Sequence, residues 1–266
     1  MIHYKSPEEI ELIRKSSLLV SQTHAALVPF IQPGVKTSKL DQIAEEFIRD
    51  HQAAPAFKGY RGFPYTLCIS VNEQVVHGFP SDREIREGDI LSVDCGVSKD
   101  GYFGDSAFTF PIGQVSEDVR KLLRVTLNAL FLGIEKAVVG NRMGDVGFAI
   151  QKYCEMDHHY GVVRDLIGHG IGKNLHEEPD VPNYGKRGKG PMLQEGLVIA
   201  IEPMINMGTY QVRQLADKWT IVTRDGKPSA HFEHTVAVKK GQADILSDHN
   251  LIFEAIKKSD YIIDFR

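Results

Sequence analysis

The chain has 266 residues, 42% of them apolar and 25% charged, with a formal net charge of −4. This is globular usage, which excludes disordered and fibrous architectures, and the charge gives no global attraction to nucleic acid or an anionic membrane. Three cysteines, Cys68, Cys95 and Cys154, without CxxC spacing, argue against both a disulfide framework and a thiolate zinc site.

The N-terminal stretch MIHYKSPEEIELIRKSS lacks the apolar core of a signal peptide. No run approaches the ~20 apolar residues of a membrane span. The expectation is a cytoplasmic protein with neither DNA nor membrane as partner. Ser6-Pro7-Glu8-Glu9 is a helix start, with a capping serine, a first-turn proline and acids at the positive helix end. This helix is predicted to run to about Val28. Pro33-Gly34 makes a turn, and a second helix follows from about Ser38, with Leu40, Ile43, Ala44, Phe47 and Ile48 on one face.

Residues 53–65, AAPAFKGYRGFPY, read as a loop. Strand-like runs follow at TLCISV, DILSVDCGV and YFGDSAFTF. Ser116-Glu117-Asp118 then caps a long helix through about Val138. Gly140 opens a turn, and a helix covers about Asp145–Asp157. Strand-like runs return at VVRDLI, LVIAIEPMI, KWTIV and HFEHTVAV. The segments IQPGVKTSKLDQIA and AVVGNRMGDVGFAI align loosely, Gly34 against Gly140. The expected organisation is one catalytic domain over 1–266. It has two similar halves, about 5–112 and 113–240, and a tail with a short helix over 241–266.

Asp94 and Asp105 lie in consecutive strand-like runs. A four-residue loop, Ser98 to Gly101, would set them directly opposite each other, with Cβ atoms ~5 Å apart. Aspartate is a poor strand former, so two facing acids ask for a shared cation. Glu202 and Glu233 repeat the oddity inside otherwise apolar runs, and glutamate is rarely buried unpaired. His169, in the turn GHGIG, is a natural fifth ligand. Carboxylates ~5 Å apart repel by ~3 kcal/mol per pair at an effective dielectric near 20. Two divalent cations would balance four such charges. Each residue alone has a plainer explanation: an edge aspartate, a glutamate paired to an arginine, a turn histidine. The five together, in this order, do not.

The motifs VDCG, GYFGDSAFTF, GHGIGKNLHEEP, IAIEPM and FEHTVAV resemble those of the type I methionine aminopeptidases, over about residues 5–240. The resemblance implies an α+β pita-bread fold with antiparallel sheet inside and helices outside. It implies removal of N-terminal methionine from nascent polypeptides when the second residue is small. It also implies metal ligands Asp94, Asp105, His169, Glu202 and Glu233, with Asp105 and Glu233 bridging. By the same resemblance His77 and His176 contact the substrate, Glu202 moves a proton, and Tyr60, Phe63, Cys68 and Trp219 wall a methionine pocket. A hairpin around RDGKP would carry Trp219 across from Glu233, and Gly78 would let a substrate backbone pass close to His77. The ligand set suits two divalent ions such as Mn, Fe(II) or Co rather than structural zinc. Four residues depart from the bacterial pattern: Phe63 and Leu175, where a tyrosine and an aromatic residue are common, and His231 and Phe232.

Two rival readings keep the fold and change the chemistry: a proline-directed peptidase, or a non-enzymatic binding module. The absence of GxSxG, GxxxxGK[ST] and HExxH excludes other hydrolase and nucleotide motifs. The basic loop from Gly185 to Gly190 is a solvated surface loop by composition; a transient ribosome contact is its alternative role.

Overall fold

Helix α1 (Pro7–Leu27) begins where its sequence says it should. In the computed structural model, which describes residues 1–266, Ser6 Oγ accepts from the Glu9 amide and the Glu9 carboxylate accepts from the Ser6 amide. A left-handed Gly34 turns the chain into α2 (Thr37–Asp50). The strands of this half are β1 (Ala54–Pro55), β2 (Leu67–Val71), β3 (Gln74–Val76), β4 (Ile90–Lys99) and β5 (Tyr102–Pro111). Ser116 caps α3 (Glu117–Ile134), which stops short of Val138, and a left-handed Gly140 leads into α4 (Met143–Gln151). That helix continues as a wider π turn to Asp157. Both helix pairs therefore share one joint, a left-handed glycine two residues before a basic N-cap, Lys36 or Arg142.

The remaining strands are β6 (Gly161–Val162), β7 (Gly168–Gly170), β8 (Glu177–Val181), β9 (Val198–Ile201), β10 (Met204–Asn206), β11 (Val212–Gln214), β12 (Ile221–Thr223), β13 (Ser229–His231), β14 (His234–Ala237) and β15 (Asp244–Ile245). Every strand pair is antiparallel. β4 pairs along its length with β5 on one edge, and with β2 and then β1 on the other. A five-stranded sheet runs β15-β14-β9-β7-β8, and two three-stranded sheets run β13-β10-β6 and β11-β12-β3. Helix α1 lies across β4 and β5 so closely that a Cβ at Gly104 would stand 2.3 Å from the Ser17 nitrogen. Only glycine permits that contact.

Two expectations need correction. Of the run VVRDLI only Val162 lies in a strand, β6 (Gly161–Val162), because its partner β10 begins after Pro203, which has no amide to extend the ladder. No hairpin forms around RDGKP: β12 pairs with β11 and β3, whereas β13 pairs with β10. The short helix expected in the C-terminal segment is present. That segment forms α5 (His249–Ile256), which docks on α1 and buries Ile252, Phe253 and Ile256, while Phe265 beyond it is also buried. The Phe108 ring packs against Phe253, Phe265 and Phe232 at centroid distances of 5.2, 6.2 and 5.1 Å.

Candidate metal centre

The Asp-Gly pair at positions 100 and 101 sets the register of the first two carboxylates. Both residues are left-handed (φ +53° and +80°) and close a two-residue turn, the geometry Asp-Gly favours in hairpins. Lys99 therefore faces Tyr102, Asp94 faces Ala107 and Asp105 faces Gly96. The two acids are diagonal neighbours on one sheet face, not directly opposed. The four-residue loop was the wrong turn length, but a shift of two residues keeps both side chains on the same face.

Glu202 and Glu233 sit in breaks rather than inside strands. Glu202 and Pro203 separate β9 from β10, and Phe232 and Glu233 separate β13 from β14. Each break frees a carbonyl from the ladder, and a side chain meets it. Asn183 Nδ2 donates to the Glu202 carbonyl at 3.0 Å, and Ser106 Oγ donates to that of Glu233 at 2.6 Å. The Glu233 amide still reaches the Ala107 carbonyl at 3.0 Å, which ties this break to β5.

His169 donates from Nδ1 to the Gly170 carbonyl at 2.9 Å, leaving Nε2 as the lone-pair nitrogen. Nε2 lies 3.7 Å from Glu202 Oε1 and 3.9 Å from Asp105 Oδ2. One ligand atom each from Asp105, His169 and Glu233 falls within 4.8 Å of the others. Asp94 Oδ1, Asp105 Oδ1 and Glu233 Oε1 are buried without hydrogen-bond partners. The ion-pair partners of these four acids are imidazoles, of His169 and His231, and no Lys or Arg. Burial pushes Asp94 and Glu202 up to about pKa 7. Burial, then neighbouring acids, raise Asp105 and Glu233 well above the usual range. Converging, unpartnered, hard oxygen donors with one imidazole fit divalent cations.

These acids form the floor of a cavity of about 150 Å³ walled by Phe57, Tyr60, Phe63, Cys68, His77 and Trp219. That is well below the about 300–1,000 Å³ of drug-sized sites and suits a single side chain. Phe63 and Trp219 meet edge to face at 5.1 Å. His77 holds a left-handed backbone (φ +58°), and burial pushes its pKa down to about 4, so its ring is neutral near pH 7. Gly78 serves a different contact from the one expected: a Cβ there would lie 2.3 Å from the Ile69 carbonyl oxygen, so the close approach is to the protein's own strand β2. At the mouth, His176 keeps an exposed edge while its ring packs on Tyr60 and shares a 2.9 Å hydrogen bond with the Tyr60 hydroxyl. Desolvation of that ring, and then His169, lowers its pKa to about 3. The neighbouring Glu177 is structural, in a buried ion pair with Lys5 at 2.7 Å.

The profile of metallopeptidase family M24 matches residues 11–240. The methionine aminopeptidase of Clostridium perfringens is 51% identical over 247 residues, 93% of this chain and 99% of that one. This chain belongs to the methionine aminopeptidases of family M24. Methionine aminopeptidase 1 of Bacillus subtilis is 49% identical over the same share of both chains. The structure of the Thermotoga maritima methionine aminopeptidase superposes with a TM-score of 0.91 at 41% identity, covering 93% of this chain and all of that one. The prolidase of Pyrococcus furiosus shares the fold alone, with a TM-score of 0.75 at 23% identity and 65% of its chain covered. The expected pita-bread architecture is thereby borne out. All eleven site residues singled out in the sequence line the one cavity. Sequence reasoning missed Phe57 and Arg61, which also line it, and it noted His231 only as a departure. His231 Nε2 is buried, lacks a hydrogen-bond partner and lies 3.6 Å from Glu202 Oε2. Its position two residues before Glu233 was the available signal, since alternate residues of an extended segment share a face.

Proposed function

We infer that this metallopeptidase removes the N-terminal methionine of nascent polypeptides when the second residue is small. The observation that carries this reading is the one-side-chain aromatic cavity with four acids and an imidazole at its floor. Asp94, Asp105, His169, Glu202 and Glu233 would hold two divalent ions, Mn, Fe(II) or Co. Such ions supply a water of lowered pKa and polarise the scissile carbonyl. Glu202, whose carboxylate faces His169 and His231 at the cavity floor, takes the proton of the attacking water and passes it to the leaving amide nitrogen. His77, neutral by virtue of its burial, donates an N–H to the carbonyl oxygen as negative charge develops there. His176, oriented by Tyr60, binds the substrate backbone. Tyr60, Phe63, Cys68 and Trp219 enclose the methionine side chain.

The same reading makes the chain a single catalytic unit over 1–266 with two similar halves, about 5–112 and 113–240. The shared glycine-to-N-cap joints support that division. No helix is long and apolar enough to cross a membrane, in keeping with a cytoplasmic site of action. A transient ribosome contact through the basic loop from Gly185 to Gly190 belongs to this proposal too; Lys186 to Gly190 are exposed. The test is hydrolysis of Met-Ala-Ser and Xaa-Pro peptides by stripped protein with and without added Mn2+ or Co2+. Methionine release only with metal is expected. Xaa-Pro cleavage without methionine release would overturn the reading in favour of a proline-directed peptidase.

A further inference from the structure

Behind the acids, on the side away from the cavity, a chain of hydrogen bonds runs from α5 into the break that carries Glu233. Ser106 Oγ donates its single hydrogen to the Glu233 carbonyl at 2.6 Å. His249 Nε2 stands 3.2 Å from Ser106 Oγ. With its hydrogen committed, Ser106 Oγ can only accept, so His249 must carry its proton on Nε2. The unpartnered, buried Nδ1 of His249 agrees with that tautomer. The ring is held by a tilted contact with His234 at 3.7 Å and an edge-on contact with Phe108 at 5.2 Å. Its helix is anchored by the Asp248 amide, which donates to Ser21 Oγ of α1 at 2.8 Å. This helix lies past residue 240, where the family profile stops.

We propose that His249, acting through Ser106, is a positioning residue for Glu233. The ladder cannot hold the Glu233 carbonyl, because β13 ends at His231 and β14 starts at His234. The relay replaces the missing ladder bond and fixes the main chain from which the carboxylate projects. The segment after residue 240 thus belongs to the scaffold of the site. The inference rests on the reading of Glu233 as a metal ligand.

The experiment is titration of the full-length, metal-stripped protein with Mn2+ alone, by calorimetry, together with KM for Met-Ala-Ser at saturating Mn2+. Ser106→Ala and His249→Leu are expected to weaken Mn2+ binding about tenfold, the lower end for groups that orient metal ligands, while KM stays within about twofold. His249→Gln, which keeps an N–H near the Nε2 position, is expected to restore most of the affinity. A packing role alone would make the Leu and Gln variants alike, and that result overturns the proposal. Ser106→Ala removes one oxygen and keeps the test open if the His249 variants fold poorly; wild-type affinity in Ser106→Ala also overturns it. Glu233→Gln serves as control: unweakened binding there overturns the metal reading and this proposal with it. Weakened binding there beside an unaffected Ser106→Ala overturns the proposal alone.

Discussion

Raising the pH from 6 to 8 should tighten Mn2+ binding by at least about a hundredfold. Asp94 and Glu202 both titrate near pH 7 in the metal-free fold, because burial penalises their charged forms. A cation must displace any proton bound there. A group with a pKa of about 7 weakens binding about elevenfold at pH 6 and scarcely at pH 8, so each contributes about a factor of ten. Together they give about 2.7 kcal/mol, and Asp105 and Glu233, also raised by burial, act in the same direction. Stability carries the same sign. These folded-state pKa values lie above the unfolded ones, so the carboxylates' contribution is fully present below about pH 4 and is lost as pH rises through about 7. Bound cations remove that loss, so the gap in Tm between metal-loaded and metal-free protein should widen from pH 6 to 8. The buried histidines outside the ligand set, such as His24 and His234, are neutral in both forms and cancel from the difference. Calorimetric titration in two buffers of different ionisation enthalpy would count the protons released. Affinity constant within threefold across this range, or tighter binding in acid, would refute the argument.

Three further outcomes are expected. Asp105→Asn, which removes a buried charge from the centre of the cluster, should lose both metal and turnover; full activity with normal metal content would remove Asp105 from the site. His77→Ala should keep its metal and its Tm but lose about 10²–10³ in kcat, with KM little changed, as for a donor engaged mainly in the transition state; parallel kinetics and metal analysis on one preparation would check it. Phe253→Ala, emptying a nearly fully buried position beside Phe108 and Phe265, should cost about 3–5 kcal/mol in urea unfolding, and a cost under 1 kcal/mol would mean that α5 docks without stabilising the core.

The acids were legible in the sequence because they violate strand preference: Asp94, Asp105, Glu202 and Glu233 stand where alternation demands apolar residues. The helix starts at Ser6 and Ser116 were legible because capping is local chemistry. What failed was pairing. The Asp-Gly turn fixed the hairpin two residues tighter than expected, and the strand after Trp219 crossed to β3 rather than pairing back on itself. Neither glutamate announced that it sits at a break, since an apolar run looks the same whether its ladder is continuous or interrupted. His249 carried no motif, and its partner Ser106 is 143 residues away; only the tertiary structure joins them.

The spacing of the acids along the chain has a consequence for how the protein forms. They come from four places between positions 94 and 233, in segments that meet through main-chain and hydroxyl contacts such as those joining Asp105 and Thr235. No shorter fragment contains the whole cluster. During synthesis, mutual repulsion among the acids therefore arises late, when most of the apolar core is already available to resist it. A bound cation pair would then close one of the longest loops in the molecule, where a clip removes the most entropy from the open chain.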